Sequence, residues 1–134
     1  MSTSASVQLA SPMNQGEPVW ARVIEKQKLY IASNPRDPRL PVEEALLDDM
    51  KERREFGIQK YGQELMSKDG RNGLIDAYQE ALDLRVYLEK EYMVASTVRR
   101  RYIVRAIEAS RAVLRELKYG LMVYENEDAQ TSNI

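Results

Sequence analysis

Two pairs of carboxylates with similar spacing are the residues of this chain best suited to chemistry. Glu52 and Glu55 form an E-x-x-E pair, and Glu80 and Asp83 form an E-x-x-D pair after 24 intervening residues. Carboxylates three residues apart lie on one face of a helix, and carboxylates on facing helices can build a metal site in a bundle. The pattern therefore indicates a site for a hard cation such as Mg²⁺.

The helix predicted over 74–92 carries the second pair. Its apolar residues spread around most of the circumference, which is typical of a buried helix. Its acidic stripe contains Asp76, Glu80 and Asp83, extended by Tyr87, within about 60° of arc. No Lys or Arg lies within one turn along the stripe. A buried stripe of this kind must be protonated, paired with an arginine from another helix, or bound to a metal ion. Asp76 is a further candidate metal ligand.

The composition narrows the chemistry further. Among 134 residues there is no His and no Cys, which excludes catalytic triads, thiolate nucleophiles and His- or Cys-ligated metals. The net charge of -1 provides no overall positive field, so nucleic acid is not an expected partner. No apolar run approaches the roughly 18–20 residues of a membrane span. Without a recognisable signal peptide, the expected location is the cytoplasm.

The remaining elements must position the carboxylates. Further helices are predicted over 19–32, 42–56 and 98–119, with a proline-rich connector at 33–41 and a glycine-rich loop at 58–73. No segment alternates convincingly, so no sheet is predicted. Residues 1–16 and 125–134 are expected to be flexible tails around a single all-α domain at 17–124. The loop is long enough for helices 42–56 and 74–92 to pack antiparallel, with both carboxylate pairs facing one cleft.

The last predicted helix is amphipathic and basic. One side carries Arg100, Arg101, Arg105, Arg111, Arg115 and Lys118, and the other carries Tyr102, Ile103, Ala106, Ile107, Val113, Leu114 and Leu117. Because Glu108 and Glu116 interrupt the basic side, the pattern favours a solvated helix packed on the bundle or on a second subunit. Trp20 is predicted to be a core residue.

The stretch from Glu52 to Leu88 resembles the MazG-like all-α nucleoside triphosphate pyrophosphohydrolases. The E-x-x-E and E-x-x-D pairs match the carboxylate signature of that family. A longer motif is similar to that of small family members encoded by phages or prophages. It consists of E-R-x-x-x-G-x-x-K-Y-G from Glu52, followed by G-R-N-x-x-x-D-x-x-x-E-x-x-D-x-x-x-Y-L from Gly70. The resemblance covers residues 52–88 and leaves 1–41 and 96–134 without a family pattern.

The resemblance implies hydrolysis of a (deoxy)nucleoside triphosphate to the monophosphate and pyrophosphate. It assigns Glu52, Glu55, Glu80 and Asp83 as catalytic ligands of Mg²⁺, with Mn²⁺ as a substitute and Asp76 as an additional ligand. The candidate substrate-binding residues are Lys60, Tyr61, Arg71 and Tyr87. Family members form dimers or tetramers, so a homo-oligomeric helical bundle is expected.

Two other functions fit the same sequence. A protein with this scaffold could bind a nucleotide or nucleotide signal without cleaving it. Alternatively, a helical interaction module could bind nucleic acid or protein through the basic face between Arg101 and Lys118.

Overall fold

The structure is a computed structural model that describes the backbone of residues 14–132 and the side chains of residues 14–123. Its elements are β1 (Gln15–Pro18), α1 (Val19–Ser33), α2 (Leu40–Tyr61), β2 (Met66–Lys68), α3 (Gly73–Val94) and α4 (Thr97–Ser132). The mainly helical fold confirms the all-α class in outline. The described residues group into two compact units, 14–70 and 71–132; the single domain at 17–124 stays a prediction.

Helices α1 and α2 form the body of the first unit. Ile24 is its buried apolar residue at 6% exposure, and Trp20 is half-buried. The Gln27 side-chain amide joins the two helices, because it donates to the backbone carbonyl of Glu43 at 2.9 Å and to its carboxylate at 2.7 Å. Buried apolar area and one bidentate amide contact therefore hold the start of α2 against α1.

The connector between α1 and α2 is organised around Asp37. The Tyr30 hydroxyl donates to Asp37 Oδ2 at 2.5 Å, and the Arg39 backbone N–H donates to Asp37 Oδ1 at 2.8 Å. These bonds, with the Tyr30 hydroxyl first, lower the pKa of the Asp37 carboxyl. The same bond to Asp37 raises the pKa of the Tyr30 hydroxyl, since ionised tyrosine can no longer donate.

Substitution Asp37→Asn is expected to reduce stability at neutral pH and to have less effect in acid. A carboxyl whose pKa is lowered by folding stabilises the fold above its unfolded pKa of about 4. That contribution disappears as pH falls through the lower folded pKa, so wild type and variant should converge there. Urea midpoints of wild type and variant, measured from pH 7 to pH 3, check this expectation. Substitution of the exposed Asp49 by Asn is the control. A difference between the two midpoints that does not change with pH would contradict the expectation.

A small antiparallel sheet overturns the prediction that the chain contains no strand. β1 pairs with β2, with Gln15 opposite Lys68 and Pro18 opposite Met66, and the register is irregular between them. Gly16 has φ +90, and a Cβ there would lie 2.2 Å from Ser67 Oγ. The Glu17 backbone N–H donates to that oxygen at 2.9 Å. The first strand includes Gln15 and Gly16, which were predicted as tail; residues 1–13 lie outside the described part.

Helix α2 is longer than the sequence predicts. It passes through Gly57 and ends at Gly62, whose φ of 73 is left-handed and whose N–H donates to Ile58 O at 2.8 Å. A glycine inside a helix costs about 1 kcal/mol but does not stop it, whereas a left-handed glycine just past the end closes it. The prediction that Lys60 and Tyr61 lie in a loop is therefore wrong, because both belong to the last turn of α2.

Helices α3 and α4 form an antiparallel hairpin in the second unit. Its well-buried residues are Ala81, Ile107, Ser110 and Leu121. The Arg100 guanidinium stacks on the Tyr92 ring at 4.7 Å, and the Lys118 ammonium lies 5.4 Å from the centre of the Tyr78 ring. These contacts fix the register of the hairpin at both ends.

Helix α4 continues past Gly120, where the sequence predicts its end. A Cβ at Gly120 would lie 3.5 Å from Leu74 Cδ2, so this glycine sits where α3 and α4 pack closely. The helix reaches Ser132 and overlaps most of the predicted tail at 125–134; residues 133 and 134 are outside the described part. None of the described helices combines the length and apolar character needed to cross a membrane.

Helix α3 is less buried than expected from the apolar residues spread around most of its circumference. Leu84 is 47% exposed, Val86 65% and Tyr87 66%. Tyr102 and Val113 of α4, which were assigned to its packing side, are also exposed. The physical reason is that α4, the helix with which α3 makes most of its contacts within this unit, can cover only one side of α3.

Candidate functional site

The acidic residues of α3 share one face of the helix, as their spacing predicts, but Glu80 and Asp83 are exposed and not buried as expected. The Asn72 side chain caps the helix by accepting from the N–H groups of Leu74 (3.0 Å) and Ile75 (3.1 Å). The helix then runs without a break to Val94, so residues three and four apart share a face. Glu80 and Asp83 are both exposed on that face.

Asp76 differs from the other carboxylates of the stripe. Arg71 holds it with two hydrogen bonds, from Nε at 3.0 Å and from Nη2 at 2.7 Å. This arrangement is a bidentate guanidinium–carboxylate pair. The expectation that the stripe lacks a basic partner is therefore wrong for Asp76, because Arg71 reaches it from just before the helix. Both residues were candidates for the site, as metal ligand and as substrate contact, and the structure brings them together.

The first carboxylate pair lies on the outer face of α2. Glu52 and Glu55 are exposed and one turn apart. Glu55 Oε1 accepts a long bond of 3.3 Å from the Gln59 amide. Among the described residues, no ion pair engages Glu52, Glu55, Glu80 or Asp83. Four solvent-facing carboxylates without a cationic partner are available to a ligand.

The two pairs belong to different compact units, α2 to the first and α3 to the second. Each pair supplies two ligands of the type that Mg²⁺ prefers. Across residues 14–123, no three Asp or Glu side chains converge closely enough to hold a metal ion. The shared cleft expected from the sequence therefore stays a prediction, whereas the two separate pairs are features of the structure.

The end of α2 combines exposed aromatic rings with cations. Lys60 Nζ lies 5.3 Å from the centre of the Tyr61 ring and 5.9 Å from that of Phe56. Arg53 Cζ lies 4.7 Å from the centre of the Phe56 ring. Sequence reasoning identified Lys60 and Tyr61 but missed Arg53 and Phe56. The available signal was spacing, because Glu52, Phe56 and Lys60 lie four residues apart along one helix face.

The segment after α2 is tied to neighbouring residues. The Arg54 guanidinium pairs with the Glu64 carboxylate, and the Val19 backbone N–H donates to Leu65 O at 2.9 Å. With the β1–β2 pairing, these contacts hold the residues that follow Tyr61.

The basic face of α4 is also present. Arg101, Arg105 and Arg115 are exposed, and within residues 14–123 none of them forms an ion pair. Arg111 pairs with Glu108 at 3.6 Å, and Arg100 donates to Tyr92 O at 3.1 Å. Among the described side chains, the basic face of α4 therefore contains both unpaired and engaged cations.

Comparison with known proteins identifies no relative of this chain. No family model, no curated protein and no solved structure matches it. The functional assignment therefore depends on the carboxylate pairs, on the cations and rings near them, and on the motif resemblance of residues 52–88.

Proposed function

We propose that the protein hydrolyses a (deoxy)nucleoside triphosphate to the monophosphate and pyrophosphate, in a Mg²⁺-dependent reaction of the MazG-like type. The main support is that Glu52, Glu55, Glu80 and Asp83 are exposed and free of ion pairs among the described residues. Carboxylate oxygens that are not engaged in ion pairs can serve as ligands for a hard cation such as Mg²⁺. As the resemblance to the MazG-like family implies, both carboxylate pairs act on one substrate.

The donor chemistry fits the proposed cofactor. Mg²⁺ binds carboxylate oxygens and substrate phosphates, and the chain supplies carboxylates but no imidazole or thiolate. Bound there, Mg²⁺ or Mn²⁺ would neutralise phosphate charge and increase the acidity of water. Asp76 is the weakest of the proposed ligands, because Arg71 already occupies its oxygens.

The other proposed residues act on the substrate. Lys60, at the end of α2, contacts a phosphate, and Tyr61 stacks on the nucleotide. Arg71 and Tyr87 are further substrate contacts, with Arg71 reaching the substrate from its pair with Asp76. One carboxylate takes the proton of the attacking water. The oxygen of the water bonds to the α-phosphorus, the bond between the α-phosphorus and the oxygen bridging to the β-phosphorus breaks, and pyrophosphate leaves.

A product-resolved turnover assay tests this function. Purified protein is incubated with Mg²⁺ and each ribo- and deoxynucleoside triphosphate, and the products are separated chromatographically. Equal amounts of monophosphate and pyrophosphate are expected. Diphosphate and phosphate would indicate cleavage at another bond, and no product from any nucleotide would overturn the proposed activity.

Two alternative functions predict different experimental results. A nucleotide-binding protein without turnover would use the same carboxylates and would show binding in the absence of products. A nucleic-acid or protein interaction module would use Arg101, Arg105 and Arg115, which are exposed and form no ion pair within residues 14–123. Salt-sensitive binding to DNA or RNA that is unaffected by Glu80→Gln would favour this second alternative.

We also propose that the protein is a homo-oligomer, as its resemblance to the MazG-like family implies, and that it acts in the cytoplasm. Large apolar side chains on one side of α4 support association, since Val98 is 66% exposed, Tyr102 69% and Val113 48%.

Light scattering after gel filtration is expected to give a multiple of 15.5 kDa. Tyr102→Glu should shift the protein towards the monomer, because it places a charge in the apolar contact. Tyr119→Glu is the control, since Tyr119 is also 69% exposed but lies about 100° around the helix. A monomeric wild-type protein, or equal effects of both variants, would contradict the proposal.

A further inference from the structure

From the geometry at the end of α2, we infer a nucleobase-stacking patch made of Arg53, Phe56, Lys60 and Tyr61, which takes a mononucleotide through its base and its phosphates. The inference rests on the proposed function and adds Arg53 and Phe56 to it. It identifies which part of the substrate each side chain would contact, with the rings on the base and the cations on the phosphates.

Exposure of the two rings is the first observation. Phe56 is the single Phe of the chain and is 48% exposed, and Tyr61 is 69% exposed. An exposed aromatic ring can stack with a planar base, either directly or through a guanidinium that lies over the ring. A Cβ at Gly57 would touch nothing within 4 Å, so the helix surface beside Phe56 is open to a ligand.

The charges of the patch are the second observation. Arg53 and Lys60 are exposed, and among the described residues neither forms an ion pair. They are instead held against the rings, with Arg53 Cζ 4.7 Å and Lys60 Nζ 5.3 Å from ring centres. Two cations beside two aromatic faces match the chemistry of a nucleotide, which combines an aromatic base with negative phosphates.

The position on α2 is the third observation. Glu52, Phe56 and Lys60 occur four residues apart, so a carboxylate, a ring and a cation follow one another along one face, about one turn apart. Phe56 therefore lies about one turn beyond Glu52, and Arg53 and Phe56 directly follow the candidate metal ligands Glu52 and Glu55 in the chain. A base stacked on the patch leaves the phosphates of the same molecule within reach of that helix face.

Calorimetry with uncleavable ligands tests the patch. The probes are α,β-methylene nucleoside triphosphates, inorganic tripolyphosphate as a ligand without a base, and a single-stranded oligodeoxynucleotide. Phe56→Ala and Tyr61→Ala should each weaken nucleotide binding by about tenfold and leave tripolyphosphate binding unchanged. Arg53→Gln should weaken both ligands, because it removes a charge rather than a ring.

Two control variants test whether a loss of binding comes from a loss of structure. Tyr61→Phe keeps the ring and should bind like wild type. Tyr119→Ala removes an equally exposed tyrosine from α4 and should also have no effect. Nucleotide binding that is insensitive to Phe56→Ala and Tyr61→Ala would overturn the inference, as would tighter binding of the oligonucleotide than of any mononucleotide.

Turnover and binding measurements together distinguish failure of the patch from failure of the proposed reaction. Turnover with an unchanged KM in Phe56→Ala and Tyr61→Ala would preserve the pyrophosphohydrolase and overturn the patch. Ring-dependent nucleotide binding without products would support the patch and overturn the reaction. A wild-type protein that binds none of the nucleotide analogues would also overturn the patch, whatever the turnover assay gives.

Discussion

Glu80→Gln is expected to reduce nucleotide turnover by about 100-fold or more, a loss typical of removing one preorganised electrostatic group from an active site. Gln has nearly the same shape as Glu but carries no charge, so the helix surface is preserved while a Mg²⁺ ligand is weakened. Because Glu80 is exposed and has no ion-pair partner among the described residues, the substitution breaks no contact that stabilises the fold.

The matched control is Glu89→Gln on the same helix. Glu89 is also exposed, but it pairs with Arg85 at 3.2 Å, and an exposed pair of this kind contributes less than about 1 kcal/mol to stability. Turnover by Glu89→Gln should equal that of wild type. Initial rates over a Mg²⁺ titration measure both variants, and a higher Mg²⁺ requirement is expected for Glu80→Gln. Wild-type activity in Glu80→Gln would remove the stripe from the mechanism.

The helices could be predicted from sequence because their apolar residues recur at helical spacing and their starts carry recognisable signals. Pro18 before α1 and Asn72 before α3 are such signals. The ends of the helices are predicted less accurately, because Gly57 and Gly120 look like helix stop signals although both lie inside helices. A glycine ends a helix only where the backbone turns left-handed, as at Gly62, and that conformation depends on the surrounding chain.

The two-stranded sheet could not be predicted, because strands of four and three residues are too short to show alternation. Its formation depends on pairing between segments about 50 residues apart. The order of carboxylates along α3 was predictable, since an unbroken helix fixes which residues share a face. The Arg71–Asp76 pair was not, because Arg71 lies before the helix and reaches Asp76 only through the local turn.

Leu121→Ala is expected to lower the free energy of unfolding by about 2–3 kcal/mol. Leu121 is 3% exposed, and the described residues contain only three other well-buried apolar side chains, Ile24, Ala81 and Ile107. Truncation removes buried methyl groups and leaves a cavity that a rigid helix pair cannot fully close. With so few buried residues, each one contributes a large share of the stability.

The neighbouring Met122 provides the control, because it is 53% exposed on the same helix. Met122→Ala should change stability by less than about 0.5 kcal/mol. Urea unfolding at one fixed protein concentration measures both variants, since stability depends on concentration in an oligomer. The comparison also tests the extension of α4 past Gly120. If the helix ended at Tyr119, residues 121 and 122 would both be solvated and the two substitutions would have similarly small effects.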